Sequence, residues 1–261
     1  MRKTIAIANQ KGGVGKTTTA IHLGSGIAME GKSVLLIDTD PQGNASSGLG
    51  FSPREEAAGI YDVLMEDAPL AGVARPTMVA GLDIVTADTR LFGAEIELVS
   101  MVARETVLRR ALEKLDRGYE FIFVDCPPSL GLLTLNALTA SHSLIIPMQC
   151  EYYALEGLTN LMSTIRLVRE RLNPTLEIEG ILLTMYDGRL NLSKQVREEI
   201  SGVFGSRVYQ TLVARNVRLS EAPSFGKPVY LYDPNSRGAQ NYRELTSEFL
   251  ASQNETTREI M

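Results

Sequence analysis

Two lysines, Lys11 and Lys16, stand in the glycine-rich stretch "NQKGGVGKTTTA" at residues 9–20, where a phosphate-binding loop needs one. In the strict pattern G-x-x-x-x-G-K-[ST], Gly15, Lys16 and Thr17 match the end, but Gln10 occupies the place of the first glycine. Lys11, Gly12 and Gly13 follow it instead. The chemistry of such a stretch is anion binding. Glycines let backbone N–H groups turn inward around a phosphate, and the N-terminus of a following helix adds partial positive charge. Lys16 is then placed to reach the β- and γ-phosphates of a nucleotide, and the Thr17 hydroxyl to ligate Mg²⁺. A mere tight connection between a strand and a helix accounts for the glycines but not for the Gly-Lys-Thr triplet.

Two further stretches carry carboxylates at the ends of apolar runs. In "LLIDTDPQGN", Asp38 and Asp40 are two residues apart and share a side if the strand continues that far. Asp-Pro and Gly-Asn are also turn formers, so for Asp38 a turn role and a functional role fit equally well. Asp40 falls beside the loop after the first strand, where a carboxylate orients an attacking water. In "FIFVDCPPS", Asp125 ends an apolar run as a Walker B aspartate does when it holds the Mg²⁺ shell, although a turn cap has the same signature. Three such stretches in this order in one chain imply at least a Mg²⁺-dependent nucleoside triphosphatase.

The elements that position these residues alternate strand and helix. "TIAIAN" (4–9), "SVLLID" (33–38), "LDIVTA" (82–87), "EFIFVD" (120–125), "SLIIPM" (143–148) and "IEGILLT" (178–184) are short apolar runs between breakers, as expected of strands buried on both faces. A helix is predicted from about Thr17 to Glu30. A second runs from Tyr152 to Leu172, with Leu155, Leu158, Met162, Ile165, Val168 and Leu172 at spacings of three and four. The implied fold class is α/β, a mostly parallel twisted sheet with helices on both faces, of the P-loop NTPase type. In such a fold ligands bind at the carboxyl ends of the strands, where all three stretches fall.

The chain has 261 residues, 44% hydrophobic and 22% charged, with no linker-like segment; one domain over residues 1–251 is expected, followed by a polar, frayed tail at 252–261. No apolar run approaches the ~18 residues of a membrane span, and no signal-peptide pattern opens the chain, which points to the cytoplasm. Cys126 and Cys150 form neither a disulfide framework nor a Cys-x-x-Cys pair and read as buried thiols. His22 and His142 read as structural.

The stretches "KGGVGKTT", "DTDPQGN", "DCPPSLGLLTLNAL", "QCEYYALEGL" and "RNVRLSEAPSFGKP" together resemble the ParA/Soj chromosome-partitioning ATPases, of the deviant Walker A superfamily that also holds the MinD proteins and the nitrogenase iron protein. The resemblance covers roughly residues 2–250. It implies that Lys11, Gly12, Gly13, Val14, Gly15, Lys16, Thr17 and Thr18 surround ATP, and that Lys11 reaches the nucleotide of a second subunit in an ATP-dependent homodimer. It further implies that Asp40 positions the attacking water, that Thr17, Asp38 and Asp125 surround Mg²⁺, and that adenine lies against Met185–Asp187 and Ala214–Val217, with Met185, Asn216 and Val217 as contacts. Hydrolysis of ATP to ADP and phosphate is then weak alone and stimulated by a ParB-type centromere-binding partner.

Nucleic acid is the less obvious partner, because the net charge is −5. Between Asp187 and Lys227, however, seven basic residues face four acidic ones. On charge alone this reads as a solvated surface. The resemblance assigns non-specific double-stranded DNA binding to Arg189 and Arg218, with Arg215 as a helper, and so a nucleoid location. A MinD-like membrane-positioning ATPase is the alternative; it needs a basic amphipathic C-terminal helix, whereas Leu245, Phe249 and Leu250 are expected to pack a last helix on the sheet and no membrane partner is expected. An iron-sulfur reductase needs cysteines beside a dimer axis.

Overall fold

A computed structural model describes residues 2–52, 58–151 and 154–260. Eight strands form one sheet: β1 (Lys3–Ile7), β2 (Val34–Asp38), β3 (Arg75–Pro76), β4 (Leu82–Val85), β5 (Phe121–Asp125), β6 (Ser143–Gln149), β7 (Glu177–Tyr186) and β8 (Val213–Ala214). Their order is β3-β4-β2-β5-β1-β6-β7-β8, and every pairing is parallel except β3 with β4. The six predicted strands are present. The two additional ones are two-residue edge strands, too short to carry a periodicity of their own.

Alternate residues of each strand enter opposite cores, which is why the strands read as unbroken apolar runs. Ile5, Ile7, Leu36 and Phe123 join Leu23 and Ile27 of helix α1 (Lys16–Met29) and Tyr242, Leu245 and Phe249 of the last helix (Arg237–Ile260). Ala6, Ala8, Leu35, Ile37 and Val124 join Leu133 and Ala137, and Leu161, Ile165 and Val168 of the helix Ala154–Arg171. That helix buries Leu158 and partly buries Met162 and Leu172, as its spacing requires; Tyr152, Tyr153 and the side chain of Leu155 lie outside the described residues. The last helix packs Leu245 and Phe249 fully and Leu250 partly, and it continues beyond residue 251 to Ile260, where the sequence reading expected a frayed end.

Both histidines are structural. His22 on α1 is buried, stacks on Tyr242 and bonds through Nδ1 to the Thr18 carbonyl at 2.6 Å; burial lowers its pKa to about 4. The Nδ1 of His142 accepts the Thr4 N–H at 2.9 Å. Cys126 and Cys150 are free and buried, and burial pushes both thiols up, Cys150 to about 11. Such thiols stay protonated at neutral pH.

Candidate functional site

Three strand ends meet in register. Ile7 of β1 and Asp38 of β2 both pair with Asp125 of β5, so the glycine-rich loop and the two aspartates leave the sheet side by side. The loop after Ile7 closes on α1 through Gly13 and Gly15, whose φ angles of 74° and 91° are left-handed values that glycine adopts without strain. No side chain caps α1, so its first N–H groups are free to meet an anion. Two long-range bonds hold the loop: the Asn9 amide donates to the Pro147 carbonyl at 2.8 Å, and the Thr184 hydroxyl donates to the Val14 carbonyl at 2.8 Å. Replacing Thr184 by Val removes the second bond and leaves a buried carbonyl without its partner, at a cost of about 1–3 kcal/mol. The expected result is a Tm lower by roughly 2–12 °C together with faster amide exchange in Gly12–Lys16. Lower Tm without faster exchange there would mean that the bond does not hold the loop.

The two lysines face different ways. Lys16 is buried, and its ammonium donates to the Lys11 carbonyl at 3.1 Å; burial lowers its pKa, with Asp125 opposing. The Lys11 ammonium instead forms an ion pair with Glu151, just past β6. Crowding of two cations on one anion is thus avoided within a single chain.

The three aspartates differ in how far their oxygens are already used. Asp38 is fully buried, but its Oδ1 accepts the Asp40 N–H at 3.1 Å and its Oδ2 accepts the N–H and hydroxyl of Ser46 at 2.8 and 2.7 Å. Burial raises its pKa to about 6 against those bonds. Its geometry is therefore that of the turn, and Ser46, which also accepts the Ala87 N–H at 3.0 Å, is the partner that sequence reasoning missed. Asp40 is buried at the cleft wall, its Oδ1 fixed by the Gln42 N–H at 2.9 Å.

Asp125 is the outlier. It is fully buried, and neither carboxylate oxygen makes a hydrogen bond of ordinary geometry, the Thr17 hydroxyl facing it only loosely. Burial and then the neighbouring Asp38 push its pKa well above the carboxylate range, while the Thr17 hydroxyl and the Lys16 ammonium pull it back. A buried carboxylate with open oxygens is costly unless a cation or donor arrives. With the Thr17 hydroxyl facing it, the pair fits a divalent cation. Among the described residues no group of three or more His, Cys, Asp or Glu side chains gathers as a metal cage. A small, hard cation such as Mg²⁺ is commonly bound through one or two carboxylates with waters and substrate phosphates.

The cleft beside these groups has a volume of about 490 Å³. Gly12, Gly13, Gly15, Lys16, Thr17 and Thr18 line one end. Met185, Ala214, Arg215 and Asn216 line the other, where Met185 sits at φ 50°, unusual for a side chain of its size, beside a register shift between β7 and β8. Val217 does not line the cleft; it is 63% exposed at the start of the helix Val217–Glu221. Arg189 and Arg218 stand outside it, past the ends of the neighbouring strands β7 and β8. Arg189 pairs with Asp187 at 2.6 Å, and Arg218 with Glu221 at 2.7 Å and Asp233 at 3.2 Å.

Comparison with known proteins gives concordant results. A family model described as an AAA domain matches residues 2–178. The sporulation initiation inhibitor protein Soj of Bacillus subtilis is 57% identical over 97% of this chain and 100% of its own length. The chromosome partitioning protein ParA of Caulobacter vibrioides is 53% identical over 95% of this chain and 94% of its own. Among solved structures, a cobyrinic acid a,c-diamide synthase from Mycobacterium smegmatis with bound ADP and magnesium superposes with a TM-score of 0.85 at 35% identity, over 97% of this chain and 96% of that one.

Proposed function

This chain belongs to the ParA/Soj family of chromosome-partitioning ATPases, and we propose that it is itself a Mg²⁺-dependent ATPase that pairs with a second copy of itself around two ATP molecules. In the paired form it binds double-stranded DNA without sequence preference, as a cytoplasmic protein on the nucleoid. A ParB-type centromere-binding partner stimulates its weak hydrolysis. Residues 1–251 form the ATPase unit. The observation that carries this reading is Asp125, buried with both oxygens unpartnered beside Lys16 and Thr17.

Thr17 and Asp125, with Asp38 as their neighbour, would hold Mg²⁺, which would neutralise charge on the phosphates. The N–H groups of Gly12 to Thr18 and the Lys16 ammonium cradle those phosphates, and Lys16 releases the Lys11 carbonyl to do so. Asp40, held rigid by its bonds to Asp38 and Gln42, orients a water in line with the γ-phosphate. Lys11 of each subunit reaches the nucleotide of the other and stabilises charge developing at the γ-phosphate, as an arginine finger does elsewhere. Met185, Ala214 and Asn216 receive the adenine, with Val217 at the margin. A further cleft, lined by Arg2, Arg117, Gly118, Tyr119 and Glu120, opens at the amino ends of β1 and β5, the far edge of the sheet from the glycine-rich loop.

DNA binding is assigned to Arg189 and Arg218, with Arg215 as helper. Both principal arginines are held by surface carboxylates, and surface pairs of this kind contribute about 0–1 kcal/mol, so phosphate displaces them readily. Pairing two chains doubles the patch, and each neutralised phosphate adds about −0.9 to the log-log salt slope. The test is a gel shift on random-sequence duplex with Mg²⁺ and ATP, in an Asp40→Ala background that stops hydrolysis. Arg189→Glu combined with Arg218→Glu should abolish the shift and leave the ATP-dependent mass doubling intact. A shift that survives both changes would remove these residues from the DNA surface.

A further inference from the structure

The one-chain structure holds Lys11 away from the cleft, and Glu151 is what holds it. The two residues are 140 positions apart in sequence, and their backbones are fixed to each other by the sheet. Beyond the pairing of Ile7 with Ile145, the Asn9 side chain bridges the two segments: it donates to the Pro147 carbonyl at 2.8 Å and accepts the Lys11 N–H at 3.0 Å. On the other side the Glu151 N–H donates to the Gln149 carbonyl at 2.9 Å. Both side chains thus start from anchored backbone and meet at the rim, 40% and 46% exposed, while Lys11 is absent from the cleft lining.

We propose that Glu151 is a positioning residue for Lys11: it neutralises the ammonium in the single chain and surrenders it to the partner subunit's nucleotide on pairing, so that the Lys11–Glu151 contact sets the threshold for ATP-dependent dimerisation. This rests on the cross-subunit role of Lys11 given above. A half-exposed pair is weak and screened by salt, hence exchangeable. The competitor that displaces it must offer more negative charge than one carboxylate at the same rim. ATP, with its γ-phosphate, offers more than ADP, so the contact discriminates between the two before any hydrolysis occurs. Glu151 therefore acts through Lys11 and touches no reacting atom.

The test compares wild type, Glu151→Gln and Glu151→Asp. In nucleotide-free protein, competitive acetylation followed by peptide mass analysis reads the reactivity of the Lys11 amine; it should rise in Glu151→Gln and stay near wild type in Glu151→Asp. With Asp40→Ala present in all three, sedimentation in Mg²⁺ and ATP reads the dimer Kd, which should tighten about two- to fivefold in Glu151→Gln, the range expected on releasing a surface ion pair. High salt should erase the difference. Equal Kd values, or a weaker dimer in Glu151→Gln, would overturn the proposal while leaving the ATP dimer itself established. Unchanged Lys11 reactivity would overturn it at its first step. If the wild-type control forms no dimer, the reading beneath it falls and takes the proposal with it.

Discussion

Asp125→Asn is expected to make the nucleotide-free protein more stable and the enzyme inactive. The wild-type carboxylate is fully buried with both oxygens unpartnered, and burial together with Asp38 raises its pKa. A carboxyl group with a folded pKa above its unfolded one binds its proton more tightly when folded. Stability is therefore greatest below the unfolded value, falls as pH rises through the window between the two, and stays lower above it. Asparagine keeps the shape and removes the charge, so at pH 7.5 the variant should gain about 1–3 kcal/mol, or roughly 2–12 °C in Tm. That advantage should shrink as the pH is lowered toward 4, because the wild-type group is protonated there. Mg²⁺-dependent hydrolysis should drop about 100-fold or more, since metal assistance supplies several kcal/mol and each 1.36 kcal/mol is a decade. Thermal melts at pH 7.5 and 4.5, beside a phosphate-release assay, check both halves. A less stable apo variant would show that the Asp125 carboxylate makes a stabilising native contact, against its unpartnered state here.

The second large effect is expected at Lys11. Its carbonyl receives Lys16 and its ammonium sits on Glu151, so truncation to Ala leaves the backbone bonds of the loop in place. ATP should still bind each chain. What is lost is the charge delivered across the interface, and an arginine finger in the same role is worth about 10³–10⁵ in rate. Lys11→Ala should therefore fail to double in mass with ATP and lose partner-stimulated hydrolysis by about 10³-fold, with the ATP Kd of the single chain within a few-fold of wild type. Loss of ATP binding by the single chain would instead place Lys11 in its own subunit's cradle.

What could be read in advance divides along physical lines. The P-loop, the strand-end aspartates and six strands were legible because each depends on local pattern: an apolar run between breakers, or a triplet whose geometry the backbone imposes. β3 and β8 were not, because two residues carry no period and become strand only beside a neighbour's free edge. Nor was the difference between Asp38 and Asp125. Both end apolar strands, and only the fold brings the Ser46 hydroxyl to one and leaves the other bare. Thr184 read as the last residue of a strand, and nothing in "IEGILLT" announces a bond to Val14, 170 residues earlier. Glu151 lay inside a stretch that marked the family and whose "EYY" read equally as core or as interface, with nothing to pair it with Lys11. Charge counting found the excess of basic residues near Arg189 and Arg218 but could not see that Asp187, Glu221 and Asp233 already hold them.

The family and the fold make a nucleotide-driven cycle the natural frame, but the claim on which the rest depends is that ATP brings two of these chains together. Light scattering measures it directly. Asp40→Ala, with Mg²⁺ and ATP at a chain concentration of about 20 μM, enough to populate a dimer of micromolar Kd, should elute at twice the mass it shows with ADP. The same protein carrying Lys11→Ala should remain a single chain with either nucleotide. A single-chain mass for Asp40→Ala with ATP, or a doubling that ADP or Lys11→Ala supports equally well, would contradict the account.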